Sequence, residues 1–260
     1  MSRTPDGPPP PPAVQRLRVH YTKRGRLRFS SHRDFQRAFE RALRRAAVPM
    51  AYSAGFSPHP KVSYAGAAPT GTASEAEYLE IALAARCEPE RLREALDESL
   101  PPDLDVIEVV EVATHGAPSL AERLQASVWR LRLIGVAYDD AAAAVAAFLA
   151  TDRVEVSRMT KNGLRTFDAR AAVVSLDVSD TLGTEPVVEG QMTACAILHL
   201  VVRHVTPAVR PDDVLAGLRQ IGELAPREAP AVTRLAQGPL DEASGTVSDP
   251  LAPDRYDVGA

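Results

Sequence analysis

The feature that most constrains the fold is a change of hydrophobic period, from two residues to about 3.6, early in the chain. Residues 16–22 alternate between apolar and polar side chains, which is typical of a half-buried strand. Residues 31–46 then carry apolar side chains at helical spacing, with Ser31 as N-cap and Asp34 three residues later. This change predicts a sheet with amphipathic helices packed on it.

The same reading predicts further elements as far as residue 112. Residues 26–29 alternate again after a Lys-Arg-Gly turn, and Pro89 suits the first turn of a second helix. Further strands are predicted at 61–65, 78–83 and 105–112. The order β-α-β-β-α-β is the ferredoxin-like arrangement.

Residues 128–221 give a similar order of elements, and Asn162-Gly163 is a hairpin turn signal between two strands at 153–159 and 164–178. The expected fold class is therefore α+β, with two ferredoxin-like units in tandem. The expected divisions are a disordered Pro-rich leader, a basic domain, a second α+β domain and an acidic, largely disordered tail, at 1–13, 14–118, 124–225 and 226–260.

The charge distribution predicts a polyanionic partner. Residues 1–62 hold 13 Lys and Arg against 3 Asp and Glu, a net charge of +10. The rest of the chain holds 17 basic and 31 acidic residues, a net charge of −14. Such asymmetry favours RNA as the partner, with mutual neutralisation within the fold as the alternative.

The sequence contains no motif that indicates a cofactor-binding protein or a membrane protein. Cys87 and Cys195 lie far apart, and no motif with metal-ligand or nucleotide-loop spacing is present. We therefore expect no metal and no cofactor. No run of about 18 apolar residues and no secretory signal are visible, so we expect a cytoplasmic protein that does not interact with a membrane.

The candidate nucleic-acid contacts are the basic side chains of the first strand, the turn and the first helix, together with the loop Y-S-A-G-F-S-P-H-P-K at 52–61. Arginine forks match phosphate geometry, and a loop held by glycine and prolines presents its side chains in a defined way. The hypothesis requires that these groups converge into one exposed patch. The set is Arg16, Arg18, Lys23, Arg24, Arg26, Arg28, Arg33, Arg37, Arg41, Phe56, His59 and Lys61.

Two smaller groups of residues carry weaker hypotheses. Lys161, Arg165, Asp168 and Arg170 form either a second phosphate contact or a structural Asp–Arg pair. For catalysis the loop histidine His59 and also His32 are candidates for acid–base chemistry, but no nucleophile with a base and an orienting group is visible. The sequence leaves catalysis open and favours a non-catalytic role.

Several motifs resemble the radical-SAM-linked protein family, a domain of unknown function (2344). They are R-L-R-F-S-S-H-R-D-F at 26–35, A-Y-S-A-G-F-S-P-H-P-K-V-S-Y at 51–64 and T-K-N-G-L-R-T-F-D-A-R at 160–170. The resemblance covers roughly residues 16–220. The chain departs from the family pattern at Arg33, where leucine is expected, and at Ser57, where asparagine is expected.

The resemblance implies an RNA-related role, because family members occur beside radical SAM proteins and near RNase E/G-type ribonuclease genes. Three hypotheses follow. The first is an RNA-binding accessory protein in tRNA or rRNA modification or processing, with a radical SAM enzyme or ribonuclease as possible partner. The second is an RNA-processing enzyme that uses the loop histidines. The third is a protein-interaction adaptor that uses its basic face. Two cysteines cannot provide the three-cysteine cluster site of a radical SAM enzyme.

Overall fold

The structure is a computed structural model that describes residues 10–112, 117–160, 163–179 and 194–256. The chain divides into unit 1, Met1–Arg123 with Asp249–Ala260, and unit 2, Leu124–Ser248. Both units combine helices with antiparallel strands, which confirms a mixed α and β fold. Across the described residues, no helix is both long and apolar enough to cross a membrane.

The described residues form ten strands, six α-helices and two short 3₁₀ helices, Gly25–Phe29 and Arg170–Ala172. The strands are β1 (Gln15–Lys23), β2 (Val62–Ala65), β3 (Ala73–Leu83), β4 (Val106–Glu111), β5 (Ala126–Ile134), β6 (Glu155–Thr160), β7 (Gly163–Asp168), β8 (Val173–Ser179), β9 (Cys195–Arg203) and β10 (Ala231–Gly238). The helices are α1 (His32–Arg45), α2 (Pro89–Ser99), α3 (Leu120–Arg123), α4 (Tyr138–Leu149), α5 (Pro211–Gly222) and α6 (Ala252–Tyr256).

In unit 1 the strands lie in the order β4-β1-β3-β2, and each neighbouring pair is antiparallel. The apolar side chains of β1, Leu17 and Val19, are fully buried in the core of this unit. Helix α1 adds Phe35 and Phe39 to the same core, because these residues lie on one face at helical spacing. The polar face of α1 is left exposed to solvent.

In unit 2 the strand order is β10-β5-β9-β8, again antiparallel. Strands β6 and β7 form a separate hairpin between α4 and β8. Helices α4 and α5 approach closely, since a Cβ on Gly222 would lie 2.5 Å from Cα of Ala144. Apart from this hairpin and the short helices, both units run β-α-β-β-α-β along the chain. In both, the strands lie side by side in the order fourth, first, third, second.

Two predicted strands differ from the structure. Residues 26–29 form a 3₁₀ turn and not a strand, because Gly25 has φ +46° and Arg26 N–H donates to the Asp103 carboxylate at 3.3 Å. Residues 164–178 form two strands, β7 and β8, separated by the 3₁₀ helix. Asp168 caps this break by accepting the backbone N–H of Arg170 at 2.9 Å. Asn162 lies outside the described residues.

The tail at 226–260, predicted to be largely disordered, contains β10 and α6, and the prediction is wrong at α6. Strand β10 pairs with β5, and α6 returns to unit 1, where Asp254 is buried. The acidic composition suggested solvated charges, but Asp254 is buried and is the counter-ion of buried arginines. Of the predicted leader at 1–13, residues 1–9 lie outside the described part of the chain. The first residue after the leader, Val14, donates its N–H to Leu83 C=O at 2.8 Å.

Candidate nucleic-acid interface

Helix α1 begins where the sequence predicts it. The Asp34 amide donates to Oγ of Ser31 at 3.2 Å, and this hydroxyl donates to the Asp34 carboxylate at 2.6 Å. The capping box is therefore confirmed. Hydrogen bonds from the Ser31 hydroxyl and amide lower the pKa of Asp34, so the carboxylate stays charged at the helix N-terminus.

A row of exposed arginines runs along the face of α1 opposite the core. At about 100° per residue, the row covers an arc of roughly 80°, and its centre lies about 180° from the buried face. Its length is about 16 Å, from about eleven steps of about 1.5 Å between its first and last residues. Within the part of the chain that the structure describes, these guanidinium groups form no ion pair. The members are Arg33, Arg37, Arg41 and Arg44, and together they are called the α1 arginine row.

Three further cations of the predicted patch are exposed in unit 1. Arg26 and Arg28 project from the 3₁₀ turn, and the guanidinium of Arg28 lies 4.6 Å from the ring centre of Phe29. Lys61 is exposed directly after the loop at 52–60. Their exposure allows contact with an anion.

The β1 arginines do not belong to such a surface. Arg18 is fully buried, and it donates to Asp254 at 2.7 Å, to Glu80 at 3.1 Å and to the carbonyl of Pro118. Arg16 donates to the same Glu80 through Nε at 2.8 Å. The prediction that Arg18 contacts phosphate is therefore wrong, and Arg16 already has an acidic partner. Strand alternation did not reveal that Glu80 stands opposite Arg18 on β3.

The last residue of β1, Lys23, and the next residue, Arg24, also form contacts within the fold. Lys23 is buried and donates from Nζ to the carbonyls of Ala68 and Pro69, at 3.1 and 3.2 Å, so the predicted phosphate contact is wrong. Arg24 donates to Glu75 at 2.9 Å and to Asp105 at 3.0 Å. The hydrogen bond to Glu75 raises the pKa of Arg24, and its charge is already neutralised in the fold.

The loop at 52–60 is closed by short-range contacts. Tyr52 and Pro60 form an isolated β-bridge. Ser53 N–H donates to His59 C=O at 2.9 Å, and His59 N–H donates to Oγ of Ser53 at 3.0 Å. Phe56 lies at the tip with 70% of its surface exposed. The loop therefore presents an aromatic side chain from a fixed base.

A groove of about 210 Å³ separates this loop from α1. Leu43, Val48 and Met50 form an apolar floor. The polar lining comes from both sides, and comprises Glu40 and Arg44 of α1 with Tyr52 and His59 of the loop. We call it the α1–loop groove. Arg44 belongs both to the groove and to the α1 arginine row, so the two features are continuous.

The comparisons with known proteins identify a family but no activity. Residues 16–211 match the family described as "Uncharacterized protein conserved in bacteria (DUF2344)". The chain belongs to the DUF2344 family. No curated protein matches this DUF2344 chain. A solved structure, "Crystal Structure of an Unknown Protein from Galdieria sulphuraria", is 12% identical, and the match covers 85% of this chain and 96% of that one with a TM-score of 0.24.

The histidines of the DUF2344 chain have contacts of a different kind. His32 packs edge-on against Tyr64, with 5.1 Å between ring centres, and His59 is one of the residues that line the groove. In the described ranges, no hydroxyl or thiol hydrogen bonds to either ring. Burial, followed by the charge of Glu40, raises the pKa of Tyr64. No group of ligands fit to hold a metal ion occurs among the described residues.

Sequence reasoning missed the contact between Ser127 and His204 in unit 2. Ser127 Oγ lies 2.6 Å from Nε2 of His204, whose Nδ1 lies 2.7 Å from Leu124 C=O. Ser127 is buried in β5, so its hydroxyl is not open to a substrate. Burial lowers the pKa of His204 and so favours the neutral ring, in which Nδ1–H can donate to Leu124 C=O while Nε2 accepts the Ser127 hydroxyl. The contact is structural.

The second predicted patch of the DUF2344 chain is only partly exposed. Lys161 lies outside the described residues, and Arg165 is exposed on β7. Asp168 accepts the amides of Val154 and Arg170, while the Arg170 side chain donates to Val173 C=O at 3.2 Å. The described contacts therefore give Asp168 and Arg170 structural roles, each bonded to backbone.

Proposed function

We propose that this DUF2344 chain is an RNA-binding accessory protein whose contact surface is the α1 arginine row. The observation that carries the proposal is the exposure of four guanidinium groups along one face of α1, none of which forms an ion pair among the described residues. Elsewhere in unit 1, Arg16, Arg18 and Arg24 are satisfied by carboxylates. The contrast supports an external anion as the partner of the row.

The row suits a sugar-phosphate strand. Arginine stays charged, and its fork can donate two parallel hydrogen bonds to one phosphate. A helix face about 16 Å long can meet successive phosphates of one strand, which a compact anion would not occupy. Lys61 lies exposed beyond the loop and adds to the same positive field.

Three finer assignments belong to the same proposal. Each unit is a ferredoxin-like fold, which the shared element and strand orders support. The partner is a radical SAM enzyme or ribonuclease acting on tRNA or rRNA, which the family resemblance supports. The protein works in the cytoplasm. These assignments do not alter the contact surface.

The test is a salt titration of binding to a labelled single-stranded RNA. For single strands the slope of log affinity against log salt is about −0.7 per neutralised phosphate, so four contacts predict about −2.8. Affinity should then fall about 50-fold between about 50 and 200 mM salt. The variant Arg37→Gln/Arg41→Gln should reduce the slope to about −1.4 and that fall to about sevenfold.

The matched control is Arg86→Gln/Arg93→Gln, which removes the same charge from unit 1. Both residues already form ion pairs, Arg86 with Glu111 and Arg93 with Glu90. The control should keep the wild-type slope. A flat salt response of the wild-type protein, or equal slopes for the two double variants, refutes the proposal. If a purified acidic protein binds in place of RNA, and if this binding is lost in the variant Arg37→Gln/Arg41→Gln, the adaptor role is favoured.

A further inference from the structure

We infer that the α1–loop groove holds one unpaired guanine base of the bound RNA strand, an inference that rests on the proposed function. The groove is about 210 Å³, below the range of about 300–1,000 Å³ typical of sites for drug-sized ligands. Its floor, Leu43, Val48 and Met50, is apolar. This combination of size and floor suits one flat ring system and not a whole nucleotide.

Two exposed aromatic side chains belong to the loop that borders the groove, and one of them lines it. Tyr52 lines the groove, and 40% of its surface is exposed. Phe56 stands at the tip of the same loop and is more exposed. Bases splayed out of single-stranded RNA stack on such rings, and the pairing is tolerant of sequence. Stacking therefore accounts for the retention of a base but not for its identity.

Glu40 supplies the selectivity. Glu40 lines the groove, and within the described ranges its carboxylate forms no hydrogen bond or ion pair. A carboxylate accepts N–H groups and repels phosphate, so it directs the base inward and leaves the backbone to the arginines. Guanine offers two adjacent donors, N1–H and the 2-amino group. Adenine and cytosine place an acceptor beside their amino group, and uracil places carbonyl oxygens on both sides of its ring N–H.

Arg44 joins base recognition to strand binding. It lies one helical turn after Glu40 and lines the same groove. Arginine is the common partner of guanine O6 and N7, and it also binds phosphate. A strand that follows the α1 arginine row therefore reaches the groove at Arg44 and can turn one base into it.

The test uses uridine-rich RNAs of about 12 nucleotides with one central guanosine, inosine or adenosine, measured by fluorescence anisotropy. Inosine lacks only the 2-amino group. The wild-type protein should prefer guanosine over adenosine by about tenfold, with inosine in between. Glu40→Gln should remove most of this preference and keep the salt slope. Tyr52→Ala should weaken binding to all three RNAs, whereas Tyr52→Phe should retain it.

The outcomes separate this inference from the proposed function. Salt-dependent binding without a preference for guanosine overturns the base assignment and leaves the RNA-binding surface standing. Absence of RNA binding at low salt overturns the proposed function itself. If Glu40→Gln lowers the thermal midpoint and weakens binding to the three RNAs equally, Glu40 is structural and the inference fails. An unchanged midpoint with lost preference supports it.

Discussion

Replacing Asp254 with alanine removes the shared acceptor of two buried arginines in unit 1. The carboxylate, 2% exposed, accepts Nη1 of Arg18 at 2.7 Å and Nη1 and Nη2 of Arg123 at 2.6 and 3.1 Å. Arg18 is 0% exposed and Arg123 is 8% exposed. Without Asp254, both guanidinium groups stay buried while one side of each loses its partner.

The expected cost is large because the surviving charges cannot reach water. Removal of one partner of a buried ion pair costs about 3–5 kcal/mol. The remaining contacts of Arg18 with Glu80, and of Arg123 with Pro250 C=O, favour the lower end of this range. For a unit of this size, about 3 kcal/mol corresponds to a fall of about 10 °C in the unfolding midpoint.

Scanning calorimetry measures the midpoint, and hydrogen exchange of the β1 amides locates the loss. The matched control is Glu242→Ala, which breaks an exposed pair with Arg203. Exposed pairs contribute about 0–1 kcal/mol, so the control should hardly move the midpoint. The reasoning fails if Asp254→Ala and Glu242→Ala shift the midpoint equally, or if β1 exchange is unchanged. A well-packed triple replacement of Arg18, Arg123 and Asp254 by apolar residues should restore stability.

Two further predictions concern backbone features. Ser31→Ala removes the cap of α1 and should cost about 1 kcal/mol in urea unfolding near neutral pH. Because the fold lowers the pKa of Asp34, the contribution of the capping box is present above the unfolded-state pKa and is lost as pH falls through the folded value. The difference in the free energy of unfolding between Ser31→Ala and wild type should therefore become smaller at acidic pH. A difference that does not change with pH contradicts this prediction. Gly222→Ala places a Cβ 2.5 Å from Cα of Ala144 and should cost about 1–3 kcal/mol in the same assay. Gly245→Ala is a comparison variant without backbone overlap: its Cβ would lie 3.3 Å from Cγ1 of Val174, and its φ of +70° strains an alanine, so it should lose stability through backbone strain and less than Gly222→Ala does. A stability of Gly222→Ala at or above wild type contradicts the close packing of α4 on α5.

The candidate site was only half predictable. The α1 arginine row follows from helical spacing, and the loop at 52–60 follows from its glycine and prolines. Burial of Arg18 and Lys23 did not follow, because β1 alternation does not say whether its polar face meets water or other protein groups. The groove was also not predicted. From the sequence alone, Glu40 is one more charged residue on an exposed helix face, and only the folded structure places the loop at 52–60 next to it.

Sequence patterns by themselves determined most of the order of helices and strands, the N-cap of α1 at Ser31 and the exposed arginines along that helix. These features depend on contacts within a few residues, so local spacing is enough to predict them. Tertiary structure alone decided which charges are satisfied. Arg18 and Asp254 lie 236 residues apart in the chain, and only folding brings the carboxylate to the buried guanidinium. A charge is available to a ligand only when the fold leaves it without such a partner, and no local pattern carries that information.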